Sequence, residues 1–232
     1  MNRKGPQSSI ARRLFLARLG MGFGVAGATA ASSAAAPALA AGDAPWRPAR
    51  HAQDDWLDKI PGEHRFVFDT TTAEGMAWAF RFATNYFAAS KEAYGLKEND
   101  LAVVIVARHK STPFGFTDAI WAKYGKQLAE HAEITDPKTK EPPTANLYTA
   151  AGDGSTEAGP MDRLIKRGVH FAVCEVSMRG IAGMVASDTG AKSEDIVTEM
   201  SANLVGNARL VPAGIVAVNR AQERGYSFVY AI

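Results

Sequence analysis

Seven consecutive apolar residues, Leu101-Ala-Val-Val-Ile-Val-Ala107, constrain this chain more than any other stretch. The run is too short to cross a bilayer. It also lacks the polar alternation of a strand that faces water on one side. A continuous apolar run of this length is the mark of a parallel strand covered on both faces by helices. The rest of the sequence must therefore supply parallel neighbours and the crossover helices that connect them.

It does so in alternation. Arg65-Phe-Val-Phe-Asp69 reads as the first strand. Thr70-Thr71-Thr72 offers an N-cap, and Met76, Phe80, Ala83 and Phe87 then recur at helical spacing until Gly95 ends the helix. After the apolar run comes the polar and aromatic loop Arg108 to Phe116, then a helix from about Thr117 carrying Ile120, Tyr124 and Leu128. Residues 131–157 show no periodicity and contain Pro137, Pro142, Pro143, Gly152 and Gly154, so they read as a long loop or insertion. A short helix with Met161, Leu164 and Ile165 leads to Gly168 and a strand over Val169–Val173 that ends at Cys174. Helical spacing returns at Met178, Ile181, Ala182 and Val185, and again after Ser193, which is expected to cap its helix. Ala208–Val211 reads as a strand, Pro212 as the first position of a further helix, and Tyr226–Tyr230 as the last strand. The expected fold is a single Rossmann-like or flavodoxin-like three-layer α/β domain with a mostly parallel five-stranded sheet.

The domain does not start at residue 1. Ser9-Ile-Ala-Arg12-Arg13-Leu-Phe-Leu16 resembles a twin-arginine export signal, a weakly apolar Gly/Ala-rich stretch follows from Leu19 to about Ala31, and then comes Ala38-Leu39-Ala40, an A-x-A cleavage site. Residues 1–40 are thus expected to be a signal peptide, and 41–64, with Pro45, Pro48, Pro61, Trp46 and Trp56, an extended leader before a domain over 65–232. Cleavage would change the charge balance. Five of the 26 basic residues and none of the 24 acidic ones lie in 1–40, which leaves 21 against 24, a net charge of −3. No basic cluster with interleaved aromatics remains, which argues against nucleic-acid binding. No membrane association is expected once the signal is removed, and the expected location is the periplasm.

Chemistry has few places to reside. No G-x-G-x-x-G follows a strand, and the chain lacks the phosphate-binding G-x-x-x-x-G-K-[ST], C-x-x-C, a zinc spacing among its five histidines, and the G-x-S-x-G elbow. No cofactor or metal is expected. Cys174 is the only cysteine, so it forms no internal disulfide. A thiol at a strand's carboxyl end, ahead of a helix, lies where open α/β sheets place ligands. Helix-end N–H groups favour its thiolate. Free cysteines are also among the most buried residues, so position alone leaves a reactive thiol and an inert one equally open. Arg108 and His109 follow the central strand at the same edge; His109 would raise the thiolate fraction if the two loops meet. His170 shares a face with Cys174 by period two and reads as structural. Glu175 would oppose the thiolate if its charge lies close.

The stretches Gly168-Val-His-Phe-Ala-Val-Cys174 with Met178-Arg179-Gly180, Leu210-Val-Pro-Ala-Gly214, and Gln222-Glu-Arg-Gly225-Tyr-Ser-Phe-Val-Tyr230 resemble the DsrE/DsrF-like sulfur-relay family. Arg108-His109, Thr112, Asp118-Ala-Ile-Trp121 and Lys123-Tyr-Gly125 are similar to an exported subgroup of it. The resemblance implies a Rossmann-like fold assembled as a homotrimer or hexamer. It also implies a cysteine, here Cys174, that accepts a persulfide sulfur from a donor protein and passes it to an acceptor. Some members carry a second cysteine where this chain has Ser177, the relay members are cytoplasmic, and their core is more compact than 131–157 allows. On this reading Cys174 and His109 are the expected catalytic residues, and Arg108, Thr112 and Arg179 the substrate-binding ones. The alternatives are an oligomeric module that binds a small ligand without chemistry, and a thiol-based redox sensor.

Overall fold

A computed structural model of the chain describes residues 47–149 and 158–232. The expected signal peptide and the start of the leader, with Trp46, lie outside them, as do residues 150–157 of the long loop. Five strands form one sheet: β1 (His64–Thr70), β2 (Leu101–Ala107), β3 (His170–Cys174), β4 (Ala208–Val211) and β5 (Ser227–Ala231). Every pairing is parallel, and the order is β4-β3-β2-β1-β5. The α/β architecture expected from the alternation is present, and the sheet is wholly rather than mostly parallel.

The order explains how the faces are covered. From β1 to β4 the chain steps one way across the sheet, so right-handed crossovers put the intervening helices on one face. These are α2 (Ala73–Tyr94), α3 (Asp118–Ala132), α4 (Pro160–Lys166), α5 (Glu175–Thr189) and α6 (Ser193–Ala202). Their apolar stripes meet Phe68, Val103, Ile105, Ala107, Phe171 and Val173 in the main core. The step from β4 to β5 reverses direction, and α7 (Gly214–Gln222) therefore crosses the opposite face. One helix of nine residues leaves that face incompletely covered, and the leader fills the gap. A four-residue helix, α1 (Trp56–Lys59), brings Leu57 and, just after it, Ile60 against Val67, Val104 and Ala172. The leader is thus part of the fold rather than an extended lead-in. Tyr226 donates its hydroxyl to the Leu57 carbonyl at 2.7 Å, and Arg224 reaches Asp58 at 3.2 Å.

Three other expectations shift. Helix α3 continues through His131 to Ala132, so the irregular segment begins two residues later than its composition suggests. Its described part is anchored: buried Asn146 donates to the carbonyls of Phe114 and Phe116, each at 2.9 Å, and Tyr148 donates to the Ala73 carbonyl at 2.7 Å. Ser193 is the first residue of α6 and makes no capping bond, Lys192 taking the boundary position. Pro212 lies ahead of α7, which starts at Gly214 after Ala213. Thr72 does cap α2, accepting from the Gly75 amide at 2.9 Å.

Candidate functional site

The carboxyl edge of the sheet gathers the chain's chemistry, and strand alternation decides which side chains meet there. Val67 and Ala172 face the α7 side, so Asp69 and Cys174, two residues further on, face the same way. Tyr230 is the register partner of Asp69 across β1 and β5 and joins them. Arg108 follows the last residue of β2 and turns toward β1. Its Nε donates to Asp69 Oδ1 and its Nη2 to Asp69 Oδ2, both at 2.8 Å, a two-pronged pair with a planar fork on a carboxylate. Asp69 is 2% exposed, whereas the Arg108 side chain is 27% exposed. The acid is buried and the base faces out. This pair raises the guanidinium pKa further above its ordinary value, chiefly through its hydrogen bonds to Asp69.

Two local devices hold Arg108 in place. Ser111 Oγ lies within 2.9–3.0 Å of Thr70 Oγ1, the Thr70 carbonyl, the Arg108 carbonyl and the Arg108 amide, which donates to it. The turn after β2 is thereby tied to the end of β1. On the other side, Gly214 at the start of α7 touches the arginine stem. A Cβ on Gly214 would lie 2.5 Å from Arg108 Cβ, a separation no side chain tolerates.

Cys174 ends β3 and occupies the boundary position before α5, as its placement in the sequence implies. It is 6% exposed. Glu175 does not stand free beside it: Arg179 Nε holds its carboxylate at 2.9 Å and also contacts Glu194 through Nη1 at 3.4 Å.

The loops after β2 and β3 do meet, but through backbone rather than through the His109 ring. His109 adopts a left-handed φ of 54° and presents its carbonyl to Ser177 Oγ at 3.2 Å and to His131 Nε2 at 3.0 Å. Its exposed ring lies tilted by 50° to that of His131, with centroids 6.4 Å apart. Burial holds the His131 imidazole below its ordinary pKa. A residue so arranged shapes the loop, and the bond to the first turn of α5 fixes the loop's position beside Cys174.

Thr112 and Arg179 do not join the site as substrate contacts. Thr112 is fully buried with its hydroxyl directed at the Ala107 carbonyl, because the 3₁₀ turn His109–Gly115 folds it under the loop. Arg179 is committed to two carboxylates on the surface of α5 and α6. Lys110 pairs with Glu133. His170 begins β3, at the far end from Cys174, and packs its ring 6.5 Å from that of Trp56. Sequence reasoning missed Asp69, Tyr230, Ser111 and Gly214. Asp69 carried a readable signal: it is a lone carboxylate within the buried strand Phe66-Val-Phe-Asp69-Thr70, at the end that open sheets use.

Among the described residues, no group of three or more His, Cys, Asp or Glu side chains is placed to hold a metal ion, and no helix is long and apolar enough to cross a membrane. No family model matches the chain, and no curated protein matches it. Among solved structures, the chain is similar to that of MTH1491, a protein of unknown function from Methanobacterium thermoautotrophicum. The two are 13% identical with a TM-score of 0.39, over 72% of this chain and 99% of that one.

Proposed function

We propose that this protein is a periplasmic sulfur carrier in which Cys174 accepts a persulfide sulfur. The observation that carries the reading is the placement of the chain's only thiol at the carboxyl end of β3, ahead of α5 and one strand over from the end of β2 that leads into Arg108. The resemblance of the sequence around Cys174 to sulfur-relay proteins points the same way. In the reaction, the Cys174 thiolate attacks the outer sulfur of a donor persulfide R–S–SH. A new S–S bond forms, the donor's S–S bond breaks, and the donor thiolate leaves with the electron pair. No external oxidant is needed. The Glu175 carboxylate next in sequence is occupied by Arg179. Export through the twin-arginine signal and assembly as a homotrimer or hexamer belong to the same proposal; they rest on the sequence alone.

A second reading has one observation in its favour. At 6% exposure, Cys174 is more enclosed than redox-sensing thiols commonly are, which favours an oligomeric module that binds a small ligand without chemistry over a redox sensor. Incubation with a persulfide donor, and separately with peroxide, followed by intact-mass measurement, separates the three. A gain of one sulfur that Cys174→Ser abolishes supports the carrier. An oxygen adduct formed with peroxide, without sulfur loading, identifies the sensor, and no adduct of either kind leaves the binding module.

A further inference from the structure

We infer that the Asp69–Arg108 pair is an oxyanion receptor, one that admits to Cys174 those small molecules that carry a carboxylate or sulfonate group next to the reacting atom, in preference to neutral ones. This rests on the reading of Cys174 as the reacting atom and adds what the site selects. A guanidinium has five N–H donors in a fixed plane. Asp69 takes the Nε–H and one Nη2–H. The remaining donors, on Nη1 and the outer side of Nη2, have no hydrogen-bond partner among the described residues. The fork is therefore oriented by one buried carboxylate and open to a second, external one.

The surroundings keep that orientation and add to the field. Gly214 packs against the arginine stem, where a Cβ would lie 2.5 Å from Arg108 Cβ and 2.8 Å from its Cδ. The first N–H groups of α7 start at the same residue and carry partial positive charge. Tyr230, its hydroxyl 2.6 Å from Thr71 Oγ1, is the register partner of Asp69 on the β5 side. Sheet order puts β1 and β2, and with them the Asp69–Arg108 pair, between Tyr230 on β5 and Cys174 on β3. The other cations considered for this role are spent: Lys110 on Glu133, and Arg179 on Glu175 and Glu194. Asp69 is thus a positioning residue and Arg108 the specificity-determining one.

Alkylation with a matched pair of reagents tests this on the full chain. Iodoacetate and iodoacetamide both form a C–S bond at the thiolate and release iodide with the electron pair, and they differ in one carboxylate. The ratio of the two rate constants, anionic over neutral, should be at least about tenfold higher in the wild type than in Arg108→Gln. Arg108→Lys keeps the charge but loses the fork, and should recover only part of the ratio. Asp69→Asn should lower it too. On the wild-type chain alone, inorganic sulfate should slow iodoacetate more than chloride does at equal ionic strength. A ratio unchanged within about twofold in Arg108→Gln, or equal effects of sulfate and chloride, would overturn the receptor and leave the carrier reading intact. Failure of iodoacetamide itself to reach Cys174 in the native protein would instead remove the reading of Cys174 as a reacting atom, and the receptor with it.

Discussion

Replacing Asp69 with asparagine keeps the shape of the side chain and removes its charge, so its effect isolates what the carboxylate does for Arg108. Asp69 is 2% exposed and accepts both hydrogen bonds at 2.8 Å. Removing one partner of a fully buried pair costs about 3–5 kcal/mol. Arg108 keeps 27% of its side chain in water and can recover part of its hydration, so the expected loss is lower, about 2–3 kcal/mol. Against a typical total of about 5–15 kcal/mol, this is readily measured by equilibrium urea unfolding. A slope of about 2–3 kcal/mol per molar converts the loss to a midpoint shift of about 1 M. Arg108→Met should cost more than Asp69→Asn, because it strands the buried carboxylate. The double variant should then be less destabilised than Arg108→Met alone, with a coupling larger than the roughly 2–3 kcal/mol cost of Asp69→Asn by itself. An Asp69→Asn protein within about 0.5 kcal/mol of wild type, or a coupling near zero, would refute the account of how Arg108 is held.

Three further outcomes follow from groups outside the site. Asn146→Ala should destabilise by about 2–4 kcal/mol, since it strands the carbonyls of Phe114 and Phe116 in a buried setting; thermal or urea unfolding measures it. Burial pushes the phenol of Tyr226 up to about 12. A raised folded-state pKa gives stability that is complete below the unfolded value near 10 and is lost as pH rises toward 12. Unfolding stability should therefore fall between pH 10 and 12, less steeply in Tyr226→Phe. Burial lowers the pKa of His131, so its contribution is present above pH 6.5 and lost as pH falls below it. A pH series from 7 to 5 should show a decline that is reduced in His131→Asn.

The fold was legible because its signals are local. The apolar run at Leu101–Ala107 demanded a buried parallel strand, and the turn residues Thr72, Gly95 and Gly168 bounded their neighbours where the chain bounds them. The leader was not legible. Its prolines and charges speak for an extended segment, and only the shortage of cover on the α7 face, a property of the whole sheet, draws Leu57 and Ile60 inward. The site divided in the same way. Cys174 and Arg108 declare themselves as a lone thiol and a cation at strand ends. Gly214 meets Arg108, and Tyr230 pairs with Asp69, only through the reversal of strand order between β4 and β5, which no short window of sequence contains. Thr112 went astray because a 3₁₀ turn, rather than an open loop, follows β2 and buries its hydroxyl.

The central claim is that Cys174 takes up sulfur and gives it back. The most direct measurement loads the native protein from a persulfide donor, removes the donor, and adds cyanide, which attacks the outer sulfur of a persulfide and leaves as thiocyanate. The account predicts one thiocyanate per chain from the wild type and none from Cys174→Ser, with the two proteins equally folded. Wild-type protein that yields no thiocyanate in its native state, yet takes up sulfur once unfolded, would contradict it and make Cys174 a packing residue of the sheet edge.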